Sequence, residues 1–221
     1  MDAVLADWKT AVVPEKTRAA LRLLECITLH PADLDAAFVE GLRDDGLDND
    51  AMHAVANVSF HFNMMNRFAD AFGFDQLNAQ QEAIQTRMLN RAGRFLKGKQ
   101  ASPIWTRDDD GQIRPTELSR ARTQLLTAPG KTSLALRQAV ESYVVRQRGG
   151  EPRPNTEKVP RPLLRYAKKL ASYAFKITDE DMEALREAGY EDEAIYELTV
   201  AGAFGAALVG VEKLFGILYG K

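Results

Sequence analysis

Sliding the chain along itself until Leu21-Arg22 falls on Leu164-Arg165 brings its two ends into register without a gap. In that register Glu40, Leu42, Arg43 and Gly46 fall on Glu183, Leu185, Arg186 and Gly189. Ala51 falls on Ala194 and Phe72-Gly73 on Phe215-Gly216. Both places read as a helix, a short capped helix closing on Leu-Arg-x-x-Gly, an acidic cap and a long helix ending in Phe-Gly. Any two amphipathic helix pairs share some leucines. An arginine, a Leu-Arg-x-x-Gly and a Phe-Gly coinciding in one register argue instead for an internal duplication. Each copy can then lay its long helix against the other across a pseudo-twofold. The expectation is one intertwined domain over residues 1–221, with repeats at about 17–75 and 161–219 and connecting helices and a loop over 76–160.

Within that frame, proline and glycine punctuate apolar residues that recur at helical spacing. EKTRAALRLLECITLH follows Pro14; Pro31 suits the first turn of DLDAAFVEGLRDD, which Gly46 ends as a left-handed residue. Asp48 caps the next helix and Gly73 closes it; QLNAQQEAIQTRMLNRAGRFLKG reads as another. Periodicity fails from Lys99 to Pro115, a loop or short hairpin turning at Asp110-Gly111. Helices resume at Thr116–Leu126 and Ser133–Arg148, and RGGEPRPNTEKVPRP reads as a linker. LLRYAKKLASYA, TDEDMEALREA capped by Thr178, and Asp192 to about Tyr219 complete the chain. No long stretch alternates with a period of two, so the class is all-α.

Lys plus Arg total 29 and Asp plus Glu 31, a net charge of −2. A nucleic-acid partner held by bulk charge is therefore not expected. Cys26 is the single cysteine, which excludes an internal disulfide and a multi-cysteine metal site and suits a reducing compartment. No metal or cofactor is expected. MDAVLADWKTAVVPEK lacks the basic start and apolar run of a signal peptide. LTVAGAFGAALVGV is broken off by Glu212 and Lys213, short of a bilayer span of about 20 residues. The expectation is a cytoplasmic protein with no membrane partner.

LREAGYEDEAIYELTVAGAFGAAL and LRDDGLDNDAMHAVANVSFHFNMMNRFADAFG resemble the alkylhydroperoxidase D-like, or carboxymuconolactone decarboxylase, superfamily. The shared pattern is a helix ended by leucine and glycine, an acidic entry, and a long helix rich in small residues. The run from Phe62 to Gly73, with its Asn-Arg and Ala-Asp pairs, is similar to the peroxidase-related branch. The resemblance implies the all-α fold of that family, a homo-oligomer, and peroxidase or decarboxylase-like chemistry on a small molecule. It also implies a Cys-x-x-Cys followed by histidine, paired thiols that attack a peroxide and resolve the product. This chain departs there: the register from Gly46 places Pro31, Leu34 and Phe38 at those positions, and from Gly189 it places Ala174, Ile177 and Asp181. Dithiol peroxidase chemistry is not expected of either repeat.

Several residues remain as candidates. Cys26 and His30 stand one helical turn apart, so they could pair as thiolate and imidazolium, although the neighbouring Leu24 and Ile27 favour a buried apolar thiol. In the long first-repeat helix, Val55, Val58, Phe62, Met65, Ala69 and Phe72 make an apolar seam that Ala54, His61 and Phe68 widen. That seam turns His61 toward packed surface, as a tuned general base or as a satisfied core histidine. Asn63, Asn66, Arg67 and Asp70 form the other face, with Arg67 spaced to pair with Asn63 and Asp70. So uncharged a polar face suggests contact with a partner subunit or the second repeat, Arg67 anchoring a network.

Gly202, Ala206 and Gly210 set a small residue every four positions, which suits close helix packing rather than a phosphate loop. Thr106 to Glu117 fits a calcium loop only in part and reads as an acidic turn. Two functions are consistent with these residues. One is a fold member without the redox dithiol, acting as a packing or binding module. The other is a non-dithiol enzyme acting on a small organic acid, lactone or hydroperoxide with His61, Arg67 or Cys26.

Overall fold

A computed structural model describes residues 2–74, 78, 84, 87, 105–107, 113–115, 117–151, 153, 154 and 157–220. The elements are α1 (Asp2–Asp7), α2 (Glu15–Leu29), α3 (Ala36–Asp44), α4 (Asn49–Ala71), β1 (Trp105–Arg107), β2 (Ile113–Pro115), α5 (Glu117–Thr127), α6 (Leu134–Gln147), α7 (Arg161–Ser172), α8 (Asp179–Glu187) and α9 (Asp192–Tyr219). Short 3-10 turns, Pro31–Asp33 and Ala174–Lys176, follow α2 and α7. The class is all-α, and among the described residues the antiparallel ribbon of β1 and β2, with Thr106 opposite Arg114, is the departure from helix. That ribbon falls within the segment expected to be a loop or short hairpin. The turn expected at Asp110-Gly111, most of the acidic loop and the helix expected from Gln76 lie outside the described residues.

Local chemistry fixes the element boundaries. Asp35 Oδ1 accepts the Phe38 N–H and Asp48 Oδ1 the Ala51 N–H, so each acid satisfies an orphan donor in the first turn. Ser133 does the same for Leu136 in α6. Gly46 and Gly189 take φ of 84° and 89°, the left-handed region that L side chains avoid. One boundary differs from expectation. Pro31 opens a 3-10 turn rather than α3, because Leu34 is extended and Asp35 starts the helix anew.

Several elements stand at the separation that sets Leu21 on Leu164. The turns Pro31–Asp33 and Ala174–Lys176, the helices α3 and α8, and the starts of α4 and α9 all stand at that separation. Arg43 pairs with Glu40 and donates to Asn49; Arg186 pairs with Glu183 and donates to Asp192. The buried residues Ile27, Leu42 and Met52 correspond to Leu170, Leu185 and Ile195. The ends of the long helices differ. Gly73 terminates α4, whereas Gly216 lies inside α9, which runs on to Tyr219.

α9 is the shared core. Its Phe204, Ala207, Leu208, Val211 and Leu214 join α2, α3 and α4 in one apolar cluster, while Ile195, Leu198 and Ala206 join α6, α7 and α8 in another. The helix continues through Glu212 and Lys213, so it is longer than the apolar run that ends before them. It is long and apolar enough to cross a membrane, but 89% of its most apolar window is buried inside the fold. Its apolar surface is thus already satisfied by protein. The segment after α6 is likewise packed where the sequence suggests a free linker: Ser142 Oγ donates to Arg153 O, and Arg153 Nη2 pairs with Glu212.

Asp181 illustrates how charge fixes the second half. Burial alone would raise its carboxyl, but Lys169, the Thr178 N–H at 3.0 Å and Arg165 hold it below the usual carboxylate value. A lowered folded-state value contributes stability that is present above the unfolded carboxylate range and is lost as pH falls through the folded one. Asp181→Asn is therefore expected to lower the melting temperature at neutral pH and to flatten its fall as the solution is acidified. Parallel melting curves for the two proteins across that window would contradict this.

Candidate functional site

The last carbonyls of a helix have no partner within it and carry the negative end of its dipole, so cations collect there. Here two arginines serve two helix ends at once. Arg148, just past α6, donates from Nη2 to Thr28 O at 2.7 Å and Ile27 O at 3.4 Å, and from Nη1 to Ala171 O at 3.5 Å. Arg67 on α4 donates from Nε to Leu170 O at 3.0 Å and from Nη2 to Ala171 O at 3.1 Å. The ends of α2 and α7 therefore meet around one guanidinium pair. Asn63 closes the ring: its Oδ1 accepts Arg67 Nη1 at 3.0 Å while its Nδ2 donates to Thr28 Oγ1 at 3.1 Å.

Above this ring lies an open cleft of about 810 Å³. Its walls are the two 3-10 turns, the α4 side chains Asn63, Asn66, Arg67 and Asp70, and the end of α6. Burial, with the neighbouring Arg148 charge, lowers the Arg67 guanidinium to about 10, while Asp70 acts in the opposite sense. Burial lowers Arg148 as well, and its buried Nε has no hydrogen-bond partner among the described residues. Asp33 and Asp70 also line the cleft, neither of them buried, and neither forms an ion pair with these arginines. Among the described residues, the floor thus holds two cations without a paired carboxylate.

Of the residues singled out from the sequence, His30, Asn63, Asn66, Arg67 and Asp70 come together here. Arg67 pairs with Asn63 as its spacing suggests; the expected Arg67–Asp70 pair does not form. Asn63 and Arg67 are buried, with Arg67 anchored on the second half of the chain, while Asn66 and Asp70 face the open cleft. His61 lies elsewhere. It is exposed, with Nδ1 2.8 Å from Asn57 O, instead of pointing into packed surface. The buried stripe of α4 is Met52, Ala56, Ser59, Phe60, Asn63, Arg67, Phe68 and Ala71; of the expected seam Phe68 is buried, whereas Val58, Phe62 and Met65 are exposed.

Cys26 is buried in the first apolar cluster, and its thiol donates to the His30 backbone carbonyl at 3.6 Å, not to the imidazole. Burial raises the thiol, which disfavours the thiolate a nucleophile needs. Among the described residues no cluster of three metal-ligating side chains forms. What the cleft offers is charge and hydrogen bonding rather than an assembled nucleophile and base.

Two further residues of the cleft, Arg148 and the Tyr173 of its opposite wall, belong to no motif in the sequence. Arg148 opens the stretch that reads as linker. Its signal is the arginine directly before Gly149-Gly150, where Gly149 has φ 77° and turns the chain past Ala32. No family model matches the chain, and comparison with curated proteins and with solved structures gives no match either.

Proposed function

We propose that this chain is an internally duplicated helical protein of the alkylhydroperoxidase D-like type that lacks the redox dithiol and uses its central cleft to bind a small organic acid. The duplication is supported by turns, caps and ion pairs that recur at one register. The absence of dithiol chemistry follows from Pro31, Leu34, Ala174 and Ile177 at the positions where thiols would stand. The observation that carries the binding reading is the pair Arg67 and Arg148, at the floor of an open cleft with no carboxylate among the described residues paired to either. A buried charge is costly unless it is paired, and helix-end carbonyls neutralise only part of two guanidiniums. A carboxylate completes that neutralisation through short, charge-assisted hydrogen bonds.

Calorimetric titration with butyrate at low ionic strength is expected to saturate at one site per chain. Arg148→Gln should weaken it about 10- to 100-fold, the loss of one charged hydrogen bond of roughly 1.5–3 kcal/mol. Equal affinity in the two proteins rejects the reading, as does a failure of both butyrate and longer-chain acids to saturate. Hydrogen peroxide and cumene hydroperoxide are expected to turn over at background rates. Turnover that Cys26→Ser abolishes would overturn the non-redox assignment.

The same reading includes a homo-oligomer. Val58 and Met65 leave exposed apolar surface along α4, the kind of surface a second copy covers. Light scattering is expected to give a multiple of the chain mass, reduced by Val58→Lys. A wild-type monomer contradicts the oligomer without touching the cleft.

A further inference from the structure

Beside Asn63 and Asn66 the polar cleft adjoins a second opening of about 430 Å³, with Thr28 and Leu29 also lining both. Its far wall is apolar: Trp8 from the turn after α1, Leu21 and Leu24 from α2, and Phe62 from α4. Glu25 also lines it, and its carboxylate is held by Lys9 at 3.1 Å, so no free charge of either sign is added. One trough therefore runs from two guanidiniums to a hydrophobic end.

The corresponding place in the second half is filled. In the register that sets Leu21 on Leu164, Gly202 and Gly205 are the counterparts of Ser59 and Phe62. A Cβ on Gly202 would meet Leu170 Cδ2 of α7 at 2.6 Å and Val140 and Val144 of α6 at 3.4 Å, and one on Gly205 would meet Glu141 Cγ at 2.9 Å, so α6 and α7 together occupy that face of α9. On α4, Phe62, the counterpart of Gly205, is exposed instead, whereas Ser59, the counterpart of Gly202, is buried. The volume is left open between apolar side chains of α2, α4 and the turn after α1.

Resting on the organic-acid reading of the cleft, we propose that the occupant is an amphipathic acid. Its carboxylate lies on Arg67 and Arg148, and its aliphatic or aromatic tail passes Asn63 and Asn66 to lie against Trp8, Leu21, Leu24 and Phe62. Charge complementarity selects the head, and the apolar groove selects the tail. A cationic amphiphile is excluded at the floor, and a short acid leaves the groove in water.

The test uses the full chain with decanoate below its micellar range, and butyrate, decanol and decyltrimethylammonium as comparisons. Each buried methylene is worth roughly a four-fold gain in affinity, so partial burial of the longer tail should make decanoate at least ~100-fold tighter than butyrate. Decanol, which keeps the tail and lacks the charge, should bind more weakly than decanoate. Trp8 and Trp105 are the two tryptophans, so Trp105→Phe leaves Trp8 as the only reporter; its emission is expected to shift with decanoate and not with butyrate. Phe62→Ser, at an exposed position, should weaken decanoate and leave butyrate unchanged, while Arg148→Gln weakens both. Calorimetry on the unsubstituted chain supplies the same comparison if a variant fails to fold. Butyrate binding as tightly as decanoate overturns the tail assignment and leaves the cleft reading intact. Decanol or decyltrimethylammonium binding as tightly as decanoate overturns the head assignment. If neither acid binds, the organic-acid reading itself falls.

Discussion

Gly210→Ala lowers the melting temperature by about 4–8 °C, whereas Gly216→Ala, on the same helix, raises it by about 2–4 °C, taking about 2–4 °C per kcal/mol for a chain of this size. The two glycines differ in what they face. A Cβ on Gly210 would stand 2.7 Å from Ile27 Cγ2, 2.9 Å from Ile27 O and 3.0 Å from Ile27 Cα. Two of those atoms are backbone, so no rotamer change relieves the contact and α2 must shift away from α9. Forcing extra volume into a packed contact costs about 1–3 kcal/mol, here the upper end because backbone must move, so about 2 kcal/mol of loss remains after the roughly 1 kcal/mol that alanine gains over glycine inside a helix. At Gly216 a Cβ meets nothing within 4 Å, so only the gain remains. Equal shifts at the two positions would show that α2 and α9 do not approach as described.

The Gly210 contact also explains what is legible in the sequence. In the register that sets Leu21 on Leu164, Gly210 is the counterpart of Arg67, and Leu170 is the counterpart of Ile27. Each long helix thus crosses the end of the other half's first helix, once by backbone contact at Gly210 and once through Arg67 reaching the Leu170 carbonyl. The punctuation, the caps and the small stripe of α9 are legible because they depend on neighbours in sequence. The orientation of α4 is not. Counting apolar residues selects Val58, Phe62 and Met65, but the helix buries Ser59, Asn63 and Arg67, and Asn63 and Arg67 find partners on other helices. Hydrophobic periodicity fails wherever burial is satisfied by long-range hydrogen bonds, and that is the face that builds the cleft. Arg148 is hidden for the same reason: its partners, Thr28 and Ala171, are distant in the chain.

Glu141→Ala is expected to cost about 3 kcal/mol, at the lower end of the range for breaking a buried ion pair because Arg122 keeps some contact with water. Glu141 is 1% exposed. Its Oε1 and Oε2 accept Arg122 Nε and Nη2 at 2.6 and 2.8 Å, and Arg153 Nε lies 4.0 Å away. Truncation takes the carboxylate from both cations, and Arg153 Nε is already buried without a hydrogen bond among the described residues. Removing both partners together, as Glu141→Leu with Arg122→Met, should recover most of the loss, because the expensive species is the single unpaired charge. Denaturant unfolding of Glu141→Leu, Arg122→Met and the double variant measures this directly; additive losses would mean the pair is not coupled. The glycines of α9 account for the placement of this carboxylate. The Glu141 stem lies where a Cβ on Gly205 would stand, 2.9 Å from its Cγ, so α6 can sit against α9 only while position 205 lacks a side chain. Gly205→Ala should consequently weaken the same ion pair from the opposite helix, and its loss should shrink in the Glu141→Ala background.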